Sequence, residues 1–243
     1  MLLFILFNDY ICIYIQMKTL IISDVHIGSK GCKAEETLNL LRTVEYNRII
    51  LVGDIIDGWL FKKYRKFSYD QTKVIRELLK QSKDKEIIWI SGNHDEFLRE
   101  YTPLHIGNIL VVDEFVENGI WFCHGDKYDG VIKLKWLGML GSVGYDMAIV
   151  LDRWLKKMGR KTSLSKYLKD NVKAAISFMV DFENEMVRQA KKRHCHTVVC
   201  GHIHNPSDKI INDIRYVNTG DWVENCSYVM YENKQLELIT NEK

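Results

Sequence analysis

The sequence reads as an α/β protein with a largely parallel core sheet and a second, more antiparallel sheet packed on it. Three observations lead there. Short runs rich in Ile and Val alternate with helical stretches in the first half of the chain, the pattern of buried strands joined by crossover helices. Each run ends in a polar cluster, and parallel sheets gather ligand-binding groups beyond the carboxyl ends of their strands. From Ile214 onward the pattern changes to strand–turn–strand.

The elements follow in order. Residues 1–16 are apolar but carry Asp9. They fall short of the ~20 residues that span a bilayer and lack the basic start and small-residue cleavage site of a secretory signal. They are expected to be an over-extended start or an apolar leader, with Met17 the true first residue; a membrane anchor is the alternative. Residues 17–243 are expected to form one domain. Thr19–Ile22 is a strand ending in Ser-Asp-Val-His, and Arg48–Val52 is a second ending in Gly-Asp. Glu86–Ile90 is a third, ending in Ser-Gly-Asn-His-Asp. Helices are expected over 35–45 and Tyr69–Gln81, where Val74, Leu78 and Leu79 recur at helical spacing. Residues 115–116 and 121–123 form a hairpin ending in His-Gly-Asp, and Thr197–Cys200 ends in Gly-His-Ile-His. Strands over 215–218, 227–231 and Gln235–Ile239 close the chain.

A helical insertion is expected over about 127–195, near the mouth of the site. Residues 131–158 are markedly apolar, and 136–145 carry no charge. Leu164–Lys192 places Leu164, Leu168, Val172, Ile176, Met179, Phe182, Met186 and Ala190 along one helical stripe.

A length of 243 residues suffices for one large domain, and 47% hydrophobic with 27% charged residues is a soluble globular composition. The net charge of +2 suggests no nucleic-acid partner. The charge is unevenly placed: 15 basic and 7 acidic residues lie between Lys127 and Thr197, against 19 and 25 elsewhere. Either something negative docks there or the stretch is a pair of solvated helices. Six cysteines without a CxxC pair read as free thiols of a reducing compartment. His194, Cys195, His196 and Cys200 lack zinc-finger spacing, and Val198, Val199 and Cys200 read as strand core.

The polar clusters carry the chemistry. They are Asp24-x-His26, Gly53-Asp54, Gly92-Asn93-His94-Asp95, His124-Gly125-Asp126 and Gly201-His202-Ile203-His204. Such a mixture of carboxylate, imidazole and amide donors suits a pair of divalent ions ~3.5–4 Å apart, the arrangement that supplies both a nucleophile at neutral pH and charge stabilisation in phosphoryl transfer. This five-part order resembles the calcineurin-like metallophosphoesterase superfamily over about residues 17 to 240. The resemblance implies a four-layer α/β/β/α sandwich and metal-dependent hydrolysis of a phosphate ester or anhydride. It implies that Asp24, His26 and His204 bind one ion, that Asn93, His124 and His202 bind the other, and that Asp54 bridges them. It places His94 facing the phosphate as the catalytic group, with Asp95 orienting it. His105, His194 and His196 match no motif.

Asp57-Gly58-Trp59, residues 218–222 (NTGDW) and the insertion resemble the UDP-2,3-diacylglucosamine diphosphatase group. That resemblance implies cleavage of UDP-2,3-diacylglucosamine to UMP and 2,3-diacylglucosamine 1-phosphate in lipid A biosynthesis. It implies manganese, with iron or zinc as alternatives, and a lipid-receiving cap. Trp59, Asp126, Lys156, Lys157, Arg160, Lys166 and Trp222 are then the expected substrate contacts, with Lys161 beside them. The expected location is cytoplasmic, peripheral on the inner face of the membrane, with no obligate protein partner. His94 departs from that group, whose best-known members carry Arg there. The alternative is a general phosphoesterase on a soluble nucleotide or phosphoprotein. A metal-bound scaffold without activity and a nuclease fit less well, because the set that activates a nucleophile is complete and the basic stretch is interleaved with Leu, Met and Trp.

Overall fold

The computed structural model describes residues 17–64, 66–128 and 164–240. The expectations for residues 1–16 and 131–158, and for Lys156, Lys157, Arg160 and Lys161, lie outside the described residues.

The first strands are β1 (Thr19–Ile22), β2 (Arg48–Val52) and β3 (Glu86–Ile90), interleaved with the helices α1 (Ala34–Thr43), α2 (Gly58–Tyr64) and α3 (Tyr69–Gln81). A 3-10 turn (Glu96–Tyr101) leads into β4 (Leu104–Ile106), β5 (Ile109–Val112), β6 (Glu114–Glu117) and β7 (Ile120–Cys123). After a short 3-10 turn (Asp126–Tyr128) come α4 (Leu164–Lys192), β8 (Thr197–Cys200), β9 (Ser207–Ile211), β10 (Ile214–Asn218), β11 (Tyr228–Glu232) and β12 (Gln235–Ile239).

The strands form a seven-stranded sheet, β12-β11-β1-β2-β3-β5-β4, and a five-stranded sheet, β6-β7-β8-β10-β9. In the first, β1, β2, β3 and β5 run parallel; in the second, β7, β8 and β10 do. Both sheets are covered on both faces, which is why their central strands read as unbroken apolar runs. In β2, Ile50 and Val52 point to the other sheet, where Phe122, Val199 and Val217 meet them. Ile49 and Leu51 point the opposite way, against Leu38 and Leu41 of α1 and Val74 and Leu78 of α3. Trp121, Cys123, Val198 and Cys200 of the second sheet pack on Phe182, Met186, Val187 and Ala190 of α4. Helix, sheet, sheet and helix make the four layers. Among the described residues no helix is long and apolar enough to cross a membrane.

The C-terminal strands correct the sequence reading. They do not build the second sheet together. Only β10 joins it, parallel to β8, while β11 and β12 extend the first sheet through an antiparallel pairing of β11 with β1. Arginines tie the sheets together. Arg48 of β2, 4% exposed, holds both carboxylate oxygens of Glu117 on β6, and Arg215 of β10 donates to the Leu236 carbonyl of β12 at 2.6 Å.

Candidate metal centre

The carboxyl ends of β1, β2, β3, β7 and β8 lie along one edge of the sandwich, and the five polar motifs meet there. The loops after β1 and β2 run side by side, through Asp24 N–H to the Gly53 carbonyl at 3.0 Å and His26 N–H to the Asp54 carbonyl at 2.9 Å. Asp24, His26, Asp54, His202 and His204 all have φ between 52° and 72°, the left-handed region. Gly92 and Gly201 are required by close approach: a Cβ on the first would overlap Asp54, and one on the second would overlap Asp24.

Three clusters of donor atoms result: Asp24, His26 and His204; Asp54, His124 and His202; and His26, Asp54 and His94. His204 Nε2 lies 3.1 Å from Asp24 Oδ1 and 3.3 Å from His26 Nε2. Asp54 Oδ2 lies 3.2 Å from His124 Nε2, 3.9 Å from His26 Nε2 and 4.0 Å from His94 Nε2, so it stands between the two halves of the site. The second oxygen of each carboxylate is engaged elsewhere. Asp24 Oδ2 accepts from Ser23 Oγ and from His202 N–H at 3.0 Å, and Asp54 Oδ1 accepts from His94 N–H at 2.7 Å. His124 Nδ1 donates to the Val52 carbonyl at 2.9 Å, which fixes the tautomer and turns Nε2 inward. Asp24 Oδ1, Asn93 Oδ1, His94 Nδ1, His124 Nε2 and Trp222 Nε1 are buried and have no hydrogen-bond partner among the described residues. Buried polar atoms without partners are costly, and the atoms of Asp24, Asn93 and His124 belong to the donor set. The site therefore fits two divalent ions.

The acids and bases of the site lean on one another. Burial favours neutral Asp54, yet the imidazoles of His124 and His94 hold its carboxyl down to about 2. Burial also opposes charge on His26 and His124. Asp24 and Asp57 nonetheless push His26 up to about 10, and Asp54 and Asp24 push His124 up to about 10.

One assignment changes. The Asp95 carboxylate is spent away from the His94 side chain. It is fully buried and accepts from the backbone N–H groups of Gly92, Asp54 and Ile55 and from Trp89 Nε1, so it fastens the β2 loop to the β3 loop. The partner of His94 is Asp57, whose Oδ2 lies 3.3 Å from His94 Nδ1. Asp57 Oδ1 accepts from Leu60 N–H at 2.8 Å, capping α2. Burial raises the Asp57 carboxyl, but His26 and His94 hold it below the usual carboxylate range.

The expected substrate contacts separate. Trp59 is 46% exposed, and its ring centroid is 4.2 Å from that of His94. Trp222 is instead a core residue, 1% exposed, whose backbone N–H donates to the Asp24 carbonyl at 3.0 Å; a side chain without surface cannot meet a substrate. Asp126 is also committed, because Arg99 holds both its oxygens at 3.0 and 3.1 Å. Lys166 falls on α4. The 218–222 motif braces the site: Asn218 donates to the Gly201 carbonyl at 2.7 Å, and Asp221 ties down Val223, Glu224 and Asn225, which itself donates to the His204 carbonyl. Arg99 was not singled out from sequence, since nothing local marks an arginine whose partners lie 8 and 27 residues away.

Fold and site together define a metal-dependent phosphoesterase. Residues 17–206 match the calcineurin-like phosphoesterase family, and the chain belongs to it. Among solved structures it is similar to vacuolar protein sorting 29 from Cryptosporidium parvum, at 13% identity over 94% of this chain and 98% of that one, with a TM-score of 0.48. It is also similar to Yfce, a phosphoesterase from E. coli, at 16% identity over 92% of each chain, with a TM-score of 0.47. An archaeal phosphodiesterase matches at 14% identity over 92% of this chain and 99% of that one, with a TM-score of 0.43. No curated protein matches the chain.

Proposed function

We propose that the protein hydrolyses a compact, soluble phosphate monoester or diester, with His94 as the proton donor to the leaving group. The observation that carries this reading is the pairing of His94 with Asp57. His94 Nδ1 faces a carboxylate that stays ionised, and Nε2 faces the Asp54 carboxylate at the centre of the donor set. An imidazole held this way delivers a proton to an oxygen leaving phosphorus. Asp24, His26 and His204 would hold one ion and Asn93, His124 and His202 the second, with Asp54 between them. Such a pair would supply an activated water and positive charge for the phosphate oxygens. His94 protonates the departing alcohol as its bond to phosphorus breaks, and the Asp57 carboxylate, 3.3 Å from Nδ1, sets the imidazole's direction. Manganese is the metal we propose, with iron and zinc suited to the same donors.

Cleavage of UDP-2,3-diacylglucosamine at a membrane face is the second reading. Its acyl pocket and most of its basic contacts fall on residues outside those described. Its two local markers, 57–59 and 218–222, include residues that orient His94 and brace the His204 loop, tasks that any phosphate ester would require. The soluble ester is therefore preferred.

The test is a panel of a phosphomonoester, a phosphodiester and UDP-diacylglucosamine with manganese. Generic esters should turn over, and His94→Ala should lower kcat by roughly 10²–10⁴-fold with two ions still bound. Asp57→Asn should lower kcat by about 10–100-fold, again with two ions bound. UMP release from the lipid far above the generic esters would reverse the preference, and full activity of His94→Ala would remove the assigned role.

A further inference from the structure

Beside the donor set lies an exposed aromatic shelf. Trp59 is the second residue of α2, and its ring lies over His94 at 4.2 Å between centroids with a 34° tilt. The His94 ring in turn meets His26 edge-on at 4.6 Å, so the indole sits one ring beyond the metal ligands. Phe97, on the 3-10 turn after the β3 loop, is 50% exposed. Its ring approaches the start of α2 so closely that a Cβ on Gly58 would lie 3.1 Å from it. Two large aromatic side chains, each about half exposed, thus border the same side of the site. Large apolar side chains grouped at a functional mouth mark a binding surface more often than a solvent face.

We infer that Trp59 is a stacking platform and that the site selects phosphate esters whose leaving group carries a planar aromatic ring. The inference rests on His94 as the proton donor. The leaving oxygen must come within hydrogen-bond reach of His94, and its substituent then extends past the His94 edge toward the exposed part of the Trp59 indole. A flat ring there gains the indole face and the Phe97 edge, while a small alkyl group reaches neither. Nucleobases and simple aryl groups share this chemistry. Base–aromatic stacking is sequence-tolerant and, by alanine substitution, amounts to roughly 5- to 150-fold in affinity.

Two measurements on the manganese-loaded protein test it. The first is equilibrium binding of phenylphosphonate and methylphosphonate by titration calorimetry, which needs no turnover. Wild type should prefer the phenyl compound by about 10-fold, Trp59→Ala should erase the preference, and Trp59→Phe should restore most of it. The second is the ratio of kcat/KM for aryl and alkyl esters, which should fall about 10-fold in Trp59→Ala, mainly through KM. No phenyl preference in wild type, or equal losses on both esters, would overturn the platform. A phenyl preference without turnover of any ester would retain the platform and remove the proposed reaction. A nucleoside phosphonate binding more tightly than phenylphosphonate identifies a base as the ring, and the reverse order identifies a simple aryl group.

Discussion

Replacing Arg99 with Ala should destabilise the protein by about 3 kcal/mol and loosen one half of the metal centre more than the other. Arg99 sits on the 3-10 turn after β3 with 19% of its side chain exposed. It donates to the Ser91 carbonyl at 3.0 Å and to Ser91 Oγ at 3.2 Å, and it grips both oxygens of Asp126. Ser91 precedes Asn93 on the β3 loop, and Asp126 follows His124 on the β7 loop. One guanidinium therefore fixes the spacing between two proposed ligands of the same ion. Its loss leaves the Asp126 carboxylate, 9% exposed, without its bidentate partner. Breaking such a pair from one side typically costs ~3–5 kcal/mol, and recovered side-chain entropy brings the figure toward the lower end. The Asp113 contact at 3.2 Å adds little, because that carboxylate is a third exposed and also holds Lys127. Urea denaturation of the metal-free protein measures the loss, and thermal unfolding should show a Tm decrease of roughly 6–12 °C. A double-mutant cycle with Asp126→Asn should show strong coupling, and calorimetric titration should show weakened binding of one manganese only. Losses that simply add, or a destabilisation below about 1 kcal/mol, would refute the clamp.

Metal binding should be coupled to protons. In the metal-free protein His26 and His124 are raised from 6.5 to about 10, so their stabilising contribution is fully present below pH 6.5 and disappears as pH rises through about 10. Asp54 is lowered from 3.8 to about 2, so its contribution is present above 3.8 and disappears as pH falls through about 2. Urea midpoints of the metal-free protein should peak between these windows and decline on the alkaline side, and a rising alkaline limb would contradict the shifts. Titration with manganese at pH 7 should release protons, seen as heats that vary with the buffer's ionisation enthalpy. Gly92→Ala places a Cβ 2.5 Å from the Asp54 backbone nitrogen, so it should keep the circular dichroism of the fold yet bind fewer than two ions, as mass spectrometry of the native protein would show.

Much of this molecule was legible before its structure. The strands Thr19–Ile22, Arg48–Val52, Glu86–Ile90, Thr197–Cys200 and Gln235–Ile239 have the bounds their residues announce, because burial on one or both faces leaves a clear apolar signature. The helices Tyr69–Gln81 and Leu164–Lys192 follow from their apolar stripes. Convergence of the five motifs follows from strand ends alone. Other features depend on neighbours distant in sequence. The short helix α2 and the β4–β5 pair are too brief for a periodic signal. Whether β11 joins one sheet or the other is decided by its pairing with β1, some two hundred residues earlier. The roles of Asp57 and Asp95 cannot be told apart from sequence order either. Asp95 adjoins His94 in the chain but turns inward to backbone N–H groups, while Asp57 reaches His94 through the first turn of α2.

The left-handed backbone at Asp24, His26, Asp54, His202 and His204 has a consequence for redesign. Aspartate and histidine are among the few non-glycine residues that enter this region readily, whereas β-branched side chains resist it. The choice of residue at these proposed ligand positions is thus filtered twice, by an ion's preference for donor atoms and by the turn that must present them. Exchanging Asp54 for Glu would preserve the charge but place a residue less suited to φ near 55° at the centre of the site. An attempt to shift this centre toward a softer metal by importing other donors would therefore have to reshape the loops first.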